Sequence, residues 1–184
     1  MNILHVDSSI TAENSVTRAI GEAAIARLNL LHPGADIRRR DLAQDPLAHM
    51  TLGDLGDSSI ADEFLAADIV VIGAPMYNFS VPSSLKAWMD RLAIAGTTFR
   101  YTEKGAEGLA GGRKLIIASA RGGFYGSDTG QAWLDHQETY LRGFFGFLGV
   151  TDIDFVRAEG VAMGPDVRAK ALENARIEAT AIAA

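Results

Sequence analysis

The stretch 68-DIVVIGAPMYNFSVPSSLKAWMD-90 decides the fold. Asp68 to Gly73 is an unbroken apolar run, the mark of a parallel strand buried on both faces. Pro82 or Ser83 then opens a helix that runs to about Ile94. Strand, loop and helix in so short a span make half of a β-α-β unit. The loop itself is unusual. Connections between strand and helix are normally polar and exposed, yet Met76, Tyr77 and Phe79 crowd this one.

Working outward, the same alternation continues. Ile3 to Val6 reads as a first strand, and residues 15 to 31 place apolar residues at helical spacing until Pro33-Gly34 stops them. Ala35 to Leu42 is a second, partly polar strand near an edge. Asp57-Ser58-Ser59 can cap a helix through Ala67. Arg113 to Ala120 is a fourth strand, Ala132 to Leu148 a fourth helix, Ile153 to Val156 a fifth strand and Pro165 to Ala183 a fifth helix. Alternation of this kind implies right-handed crossovers and a doubly wound, five-stranded parallel sheet with helices on both faces, a single domain over residues 1–184. Ligands of such sheets bind at the carboxyl ends of the strands, where the strand order reverses.

Composition narrows the partners. Lys and Arg number 17 against 23 Asp and Glu, a net charge of −6, which argues against nucleic acid or an anionic membrane surface. Hydrophobic residues make up 48% of the 184, and no segment approaches the roughly 18 continuous apolar residues of a membrane span. The absence of Cys removes disulfides, thiolate chemistry and the common zinc sites. Met1-Asn2-Ile3 enters a strand without a basic or cleavable leader, so a cytoplasmic protein is expected.

Three loops then converge at the sheet edge. The first, 7-DSSITAENSVTR-18, has no glycine and is therefore no Walker or dinucleotide turn. It sets Ser8, Ser9, Thr11, Asn14, Ser15 and Thr17 at a helix start, where hydroxyls, free amides and the helix dipole suit a phosphate. Capping alone requires fewer hydroxyls. In the second loop Met76, Tyr77 and Phe79 can line a flat ligand, and the Asn78 amide can both donate and accept. Satellite core or a subunit contact would serve Met76 and Phe79 equally well. The third, 121-RGGFYGSDTG-130, brings bare glycine backbone directly after a strand, for a ligand or for an ordinary turn. A phosphate pocket, an aromatic wall and open amides at one edge together suit flavin mononucleotide (FMN).

At this point the chain resembles the FMN-dependent NADH:quinone oxidoreductases and azoreductases, homodimers of flavodoxin-like fold. The resemblance is carried by 8-SSI-10, 74-APMYNF-79, 98-TFRYTEKGAEGL-109, 121-RGG-123 and 146-GFLGVTDIDFVRAEG-160, in order over nearly the whole chain. It implies one non-covalent FMN per subunit, its phosphate at Ser9 and Ser15-Val16-Thr17. The isoalloxazine would lie at Met76-Tyr77-Asn78-Phe79 and at Ala120-Arg121-Gly122-Gly123. It also implies NADH or NADPH as donor, quinones and more slowly azo compounds as acceptors in a ping-pong reaction, and a dimer whose partner completes each site. The family commonly has Ser where this chain has Ala120, which removes one hydroxyl contact. Its segment between Asp45 and Ala61, which in the family helps cover the site, is shortened here.

Other constellations are weaker. His5, His32, His49 and His136 show no metal spacing, and His5 sits inside a strand as a packed residue. Ser8 and Ser9 lack a nucleophile elbow. Asp7 ends its strand without the second carboxylate of a phosphotransferase. Arg38-Arg39-Arg40 reads as a solvated strand edge. The aromatic surplus Phe144-Phe145-Phe147-Leu148 is core by its own pattern and a dimer seam by the resemblance. The competing functions are an electron carrier without a nicotinamide pocket and a redox-sensing flavin module.

Overall fold

A computed structural model describes residues 1–183. Along the chain run β1 (Asn2–Asp7), α1 (Val16–Leu31), β2 (Asp36–Asp41), α2 (Ser59–Leu65), β3 (Ile69–Pro75) and α3 (Ser83–Asp90). A hairpin of β4 (Phe99–Thr102) and β5 (Gly105–Gly108) follows, then β6 (Lys114–Ala120), α4 (His136–Phe147), β7 (Asp152–Ala158) and α5 (Pro165–Thr180). The central sheet is ordered β2-β1-β3-β6-β7, and every pairing in it is parallel. This is the expected flavodoxin-like doubly wound sheet.

All of β3 is buried, because alternate residues serve different cores. Val70 and Ile72 face Phe64 of α2, Leu85 and Trp88 of α3, and Leu141 and Phe145 of α4. Ile69 and Val71 face Ile20, Ala24 and Leu28 of α1 with Ala175 and Ala179 of α5. Phe64 stands edge-on to Trp88 and stacks with Phe145, each 6.0 Å between ring centroids. The outer strand β2 obeys the same period. Arg39 reaches Glu22 on α1, while Arg38 and Arg40 reach Glu63 on α2, so the arginine run straps both helix layers to the edge.

The structure departs from the sequence reading at several boundaries. The fourth helix begins at His136 instead of Ala132, since residues 132–134 form a tight turn and the Asp135 carboxylate accepts from the amides of Gln137 and Glu138. The third helix ends at Asp90, short of Ile94. There the Thr98 hydroxyl accepts from the Ile94 amide and donates to the Leu92 carbonyl, turning the chain toward the hairpin. The hairpin is absent from the sequence reading. Its strands are short and exposed, so no buried alternation announces them. It is held from below, where Gly108 meets Gly149 so closely that a Cβ on Gly108 would lie 2.1 Å from the Gly149 nitrogen.

The strand order reverses between β1 and β3. β1 leads through α1 outward to β2, whereas β3 leads the other way, so their carboxyl ends leave a crevice.

Candidate functional site

A cavity of about 500 Å³ opens in that crevice, within the range of small-ligand pockets. Its walls are Ser9, Thr11, Asn14, Ser15, Val16 and Thr17 from the first loop and helix, and Pro75, Met76 and Tyr77 from the end of β3. Ala120, Gly122, Val161 and Arg168 complete it.

The hydroxyl end is built on α1. Ser15 caps the helix by accepting from the Arg18 amide, and its oxygen lies 3.1 Å from the Thr17 hydroxyl. Ser9 and Thr11 form a second hydroxyl pair at 3.0 Å. The amides of Val16 and Thr17, in the first turn, have no carbonyl within the helix to bond. An anion placed here would meet hydroxyls, amides and the positive helix end together.

Behind this end sits a buried charge cluster. Burial pushes the Asp7 carboxyl above the usual carboxylate range, against the pull of His5 and Arg18. Burial likewise pushes the His5 imidazole down, although Asp7, 3.7 Å away, opposes it. Arg18 lies 2.7 Å from Asp41 and 3.4 Å from Asp7, so its charge is already answered.

The apolar wall comes from the second loop. Tyr77 and Ser80 exchange backbone hydrogen bonds of 3.0 and 3.1 Å around Asn78 (φ 48°) and Phe79 (φ 70°). Two left-handed residues in succession make a mirror-image tight turn. Asn tolerates that conformation, but a bulky Phe does so only under strain. The Tyr77 hydroxyl accepts from the Ile10 amide at 3.2 Å and ties this loop to the first. Asn78 lines a neighbouring cavity, also about 500 Å³, with Val81, Lys86 and Tyr140, and Tyr77 is the partition common to both. Phe79 packs edge-on against Tyr125 at 6.1 Å.

In the third loop the residues part company. Ala120 and Gly122 face the cavity, but the Arg121 side chain turns inward and is only 2% exposed. It pairs with Asp135 at 3.0 Å, Glu159 at 3.3 Å and, most closely, Glu138, which Arg157 also holds. Arg121 therefore ties together the segments that frame the site. The carbonyls of Gly122 and Gly123 accept from Ala162 and Gly160, so the glycine pair is pinned to the loop after β7.

Of the residues singled out from sequence, Ser9, Ser15, Val16, Thr17, Met76, Tyr77, Ala120 and Gly122 meet in one cavity, and Asn78 lies next door. Phe79, Arg121 and Gly123 line neither. Val161 and Arg168 escaped the sequence reading, as did Gln137, which is buried, accepts from the Ser119 hydroxyl and donates to the Ala74 carbonyl, each at 2.9 Å. The segment 45–61 contributes nothing to the lining. It is held instead by Arg91, which donates to the Ala48 carbonyl at 3.0 Å and lies 3.3 Å from Asp54.

A family model described as a flavodoxin-like fold matches residues 1–182. The chain belongs to this family. Within it, a protein from Methylocella silvestris named FMN-dependent NADH:quinone oxidoreductase is 52% identical over 194 residues, covering 95% of each chain. One of the same name from a Bradyrhizobium species is 49% identical over 201 residues and covers all of both. Among solved flavodoxin-like structures, an azoreductase from Bacillus anthracis superposes with a TM-score of 0.86 at 28% identity, covering 99% of this chain and 100% of that one. An FMN-dependent NADH-azoreductase from the same organism, in complex with FMN, gives 0.86 at 28% identity, covering 98% and 96%.

Proposed function

We propose that the chain is an FMN-dependent NADH:quinone oxidoreductase, with azo compounds as a slower class of acceptor. The observation that carries this reading is the cavity at the switch point, polar with hydroxyls at one end and walled by Met76, Tyr77 and Val161 at the other. The relatives near 50% identity that bear this name cover from 95% to all of the chain.

The lining fits FMN by its donor chemistry. Ser9, Thr11, Ser15 and Thr17 present hydroxyls free to rotate toward phosphate oxygens. Met76 and Tyr77 offer polarizable, flat surface to a ring. Gly122 presents backbone without a side chain in the way. Bound FMN supplies two-electron hydride chemistry that no side chain here can. The protein's part is to hold the phosphate at Ser9 and Ser15–Thr17, to flank the ring with Met76 and Tyr77, and to offer the Asn78 amide at the ring's edge. Among the described residues no carboxylate, imidazole or amine lines the cavity, so its residues bind and orient without moving protons.

Donor and acceptor occupy the same mouth in turn. NADH is a cytoplasmic metabolite, and the cytoplasm is the compartment that fits this activity. A homodimer completes each site in this reading, supported by apolar surface on the hairpin side. Phe145 belongs to the core, but Phe147 is 36% and Tyr101 76% exposed, both packed on the Phe99 ring.

The visible spectrum of purified protein tests the reading. Flavin bands that bleach promptly on anaerobic NADH are expected. A Ser15→Glu, Thr17→Glu double variant should purify without flavin, and full occupancy in that variant would falsify the placement of the phosphate.

A further inference from the structure

Resting on the FMN reading of the cavity, we infer that Arg168 adds a charge-based preference for a phosphorylated flavin over its unphosphorylated form. Every other described residue lining the cavity is uncharged at neutral pH. Arg168 comes from the first turn of α5, at the far end of the chain from the hydroxyl loop, and its guanidinium donates to the Asn14 carbonyl at 2.5 Å. That bond holds the group at the residue preceding Ser15, on the wall of the same cavity, and leaves the remaining guanidinium N–H groups for a ligand.

The contrast with Arg18 carries the point. Both arginines stand at the amino end of α1, but Arg18 lies between Asp7 and Asp41 and has no charge to offer. Among the described residues Arg168 makes no ion pair, and its one protein partner is a neutral carbonyl. A phosphate monoester brings roughly two negative charges near neutral pH. Hydroxyls, amides and the helix dipole favour such a group as well, and a cation adds to them a full opposite charge. Unphosphorylated riboflavin shares the ring and the ribityl chain and would gain nothing from Arg168.

The test is flavin affinity of the apoprotein, measured by fluorescence quenching with FMN and with riboflavin at low and high salt. The parent should prefer FMN, and salt should erode that preference because part of it is ionic. Arg168→Gln should weaken FMN by about tenfold or more, the scale of a hydrogen bond to a charged group, and leave riboflavin unchanged. Arg168→Lys should recover part of the loss and shows that the fold survives. A Gln variant that keeps the parental preference overturns the role of Arg168 while the cavity reading stands. Equal weakening toward both flavins also overturns it, since that marks Arg168 as a mere tie between α5 and the first loop. A parent that binds neither flavin removes the FMN reading and this inference together.

Discussion

The imidazole of His5 fills the space where Gly21 lacks a side chain: a Cβ on Gly21 would stand 2.7 Å from Nε2. β1 and α1 approach this closely only because one partner is glycine, at the level directly beneath the hydroxyl end of the cavity. Alanine in a helix normally gains about 1 kcal/mol over glycine, whereas overpacking a core costs about 1–3 kcal/mol. Gly21→Ala should therefore destabilise the parent in urea. In a His5→Ala background the same change should stabilise. The same sign in both backgrounds refutes the contact.

His5 also predicts a pH dependence. Burial lowers its pKa below the usual 6.5, so the unfolded chain binds the proton more readily than the folded one. Its contribution to stability is thus complete above 6.5 and is lost as pH falls from there through the lowered value. Asp7 and Glu22 favour the charged ring, Arg18 and Arg39 disfavour it, and burial exceeds them all. Asp7 runs oppositely, its raised pKa giving stability below 3.8 that fades as pH rises. Melting temperatures of parent and His5→Leu, compared between pH 8 and pH 5.5, should show the parent losing ground to the variant toward acid. A constant difference would mean the ring titrates normally.

Asn78 occupies a left-handed position, so its removal must be separated from backbone strain. Asn78→Gly removes the amide without that strain, and Asn78→Ala adds it. Both should lower kcat/KM for NADH by roughly tenfold, the equivalent of about 1.4 kcal/mol. Full activity in the glycine variant would dismiss the amide. In either protein, double-reciprocal plots with NADH and a quinone varied should give parallel lines if the substrates alternate as proposed. Intersecting lines would require both to be bound at once.

The exposed rings beside the hairpin predict self-association. Sedimentation at micromolar concentration should give about twice the chain mass of 19.6 kDa. Tyr101→Glu with Phe147→Glu should yield monomers that have lost reductase activity. Monomeric parent protein with full turnover would leave those rings without this role.

The sheet was legible because β3 is apolar throughout, β6 carries the apolar run Leu115–Ala118, and β1 is short but flanked by a periodic helix. The cavity's hydroxyl end was legible for a related reason: Ser15 and Thr17 must stand at a helix start to be useful, and that start is written locally. Arg168 was not, since an arginine in the first turn of a polar helix resembles any solvated residue until α5 is folded against α1. Arg121 is the opposite case. Its neighbours Ala120 and Gly122 face the cavity, but its own partners, Asp135, Glu138 and Glu159, lie on later segments whose convergence no local pattern reveals. The hairpin escaped because Phe99 alone among its strand residues is buried, and backbone contact at Gly108 and Gly149 holds the rest in place.

The bond from Arg168 to Asn14 joins residues 154 positions apart. A ribosome adds about 5–20 residues each second, so roughly 8–30 seconds separate the emergence of one partner from that of the other. Until α5 is out, the hydroxyl loop faces solvent with one wall of its pocket still unmade. Cofactor capture is thereby deferred until α5 has been translated. Where flavin is scarce, chains folded through α5 would carry an empty pocket that can be filled later without new synthesis.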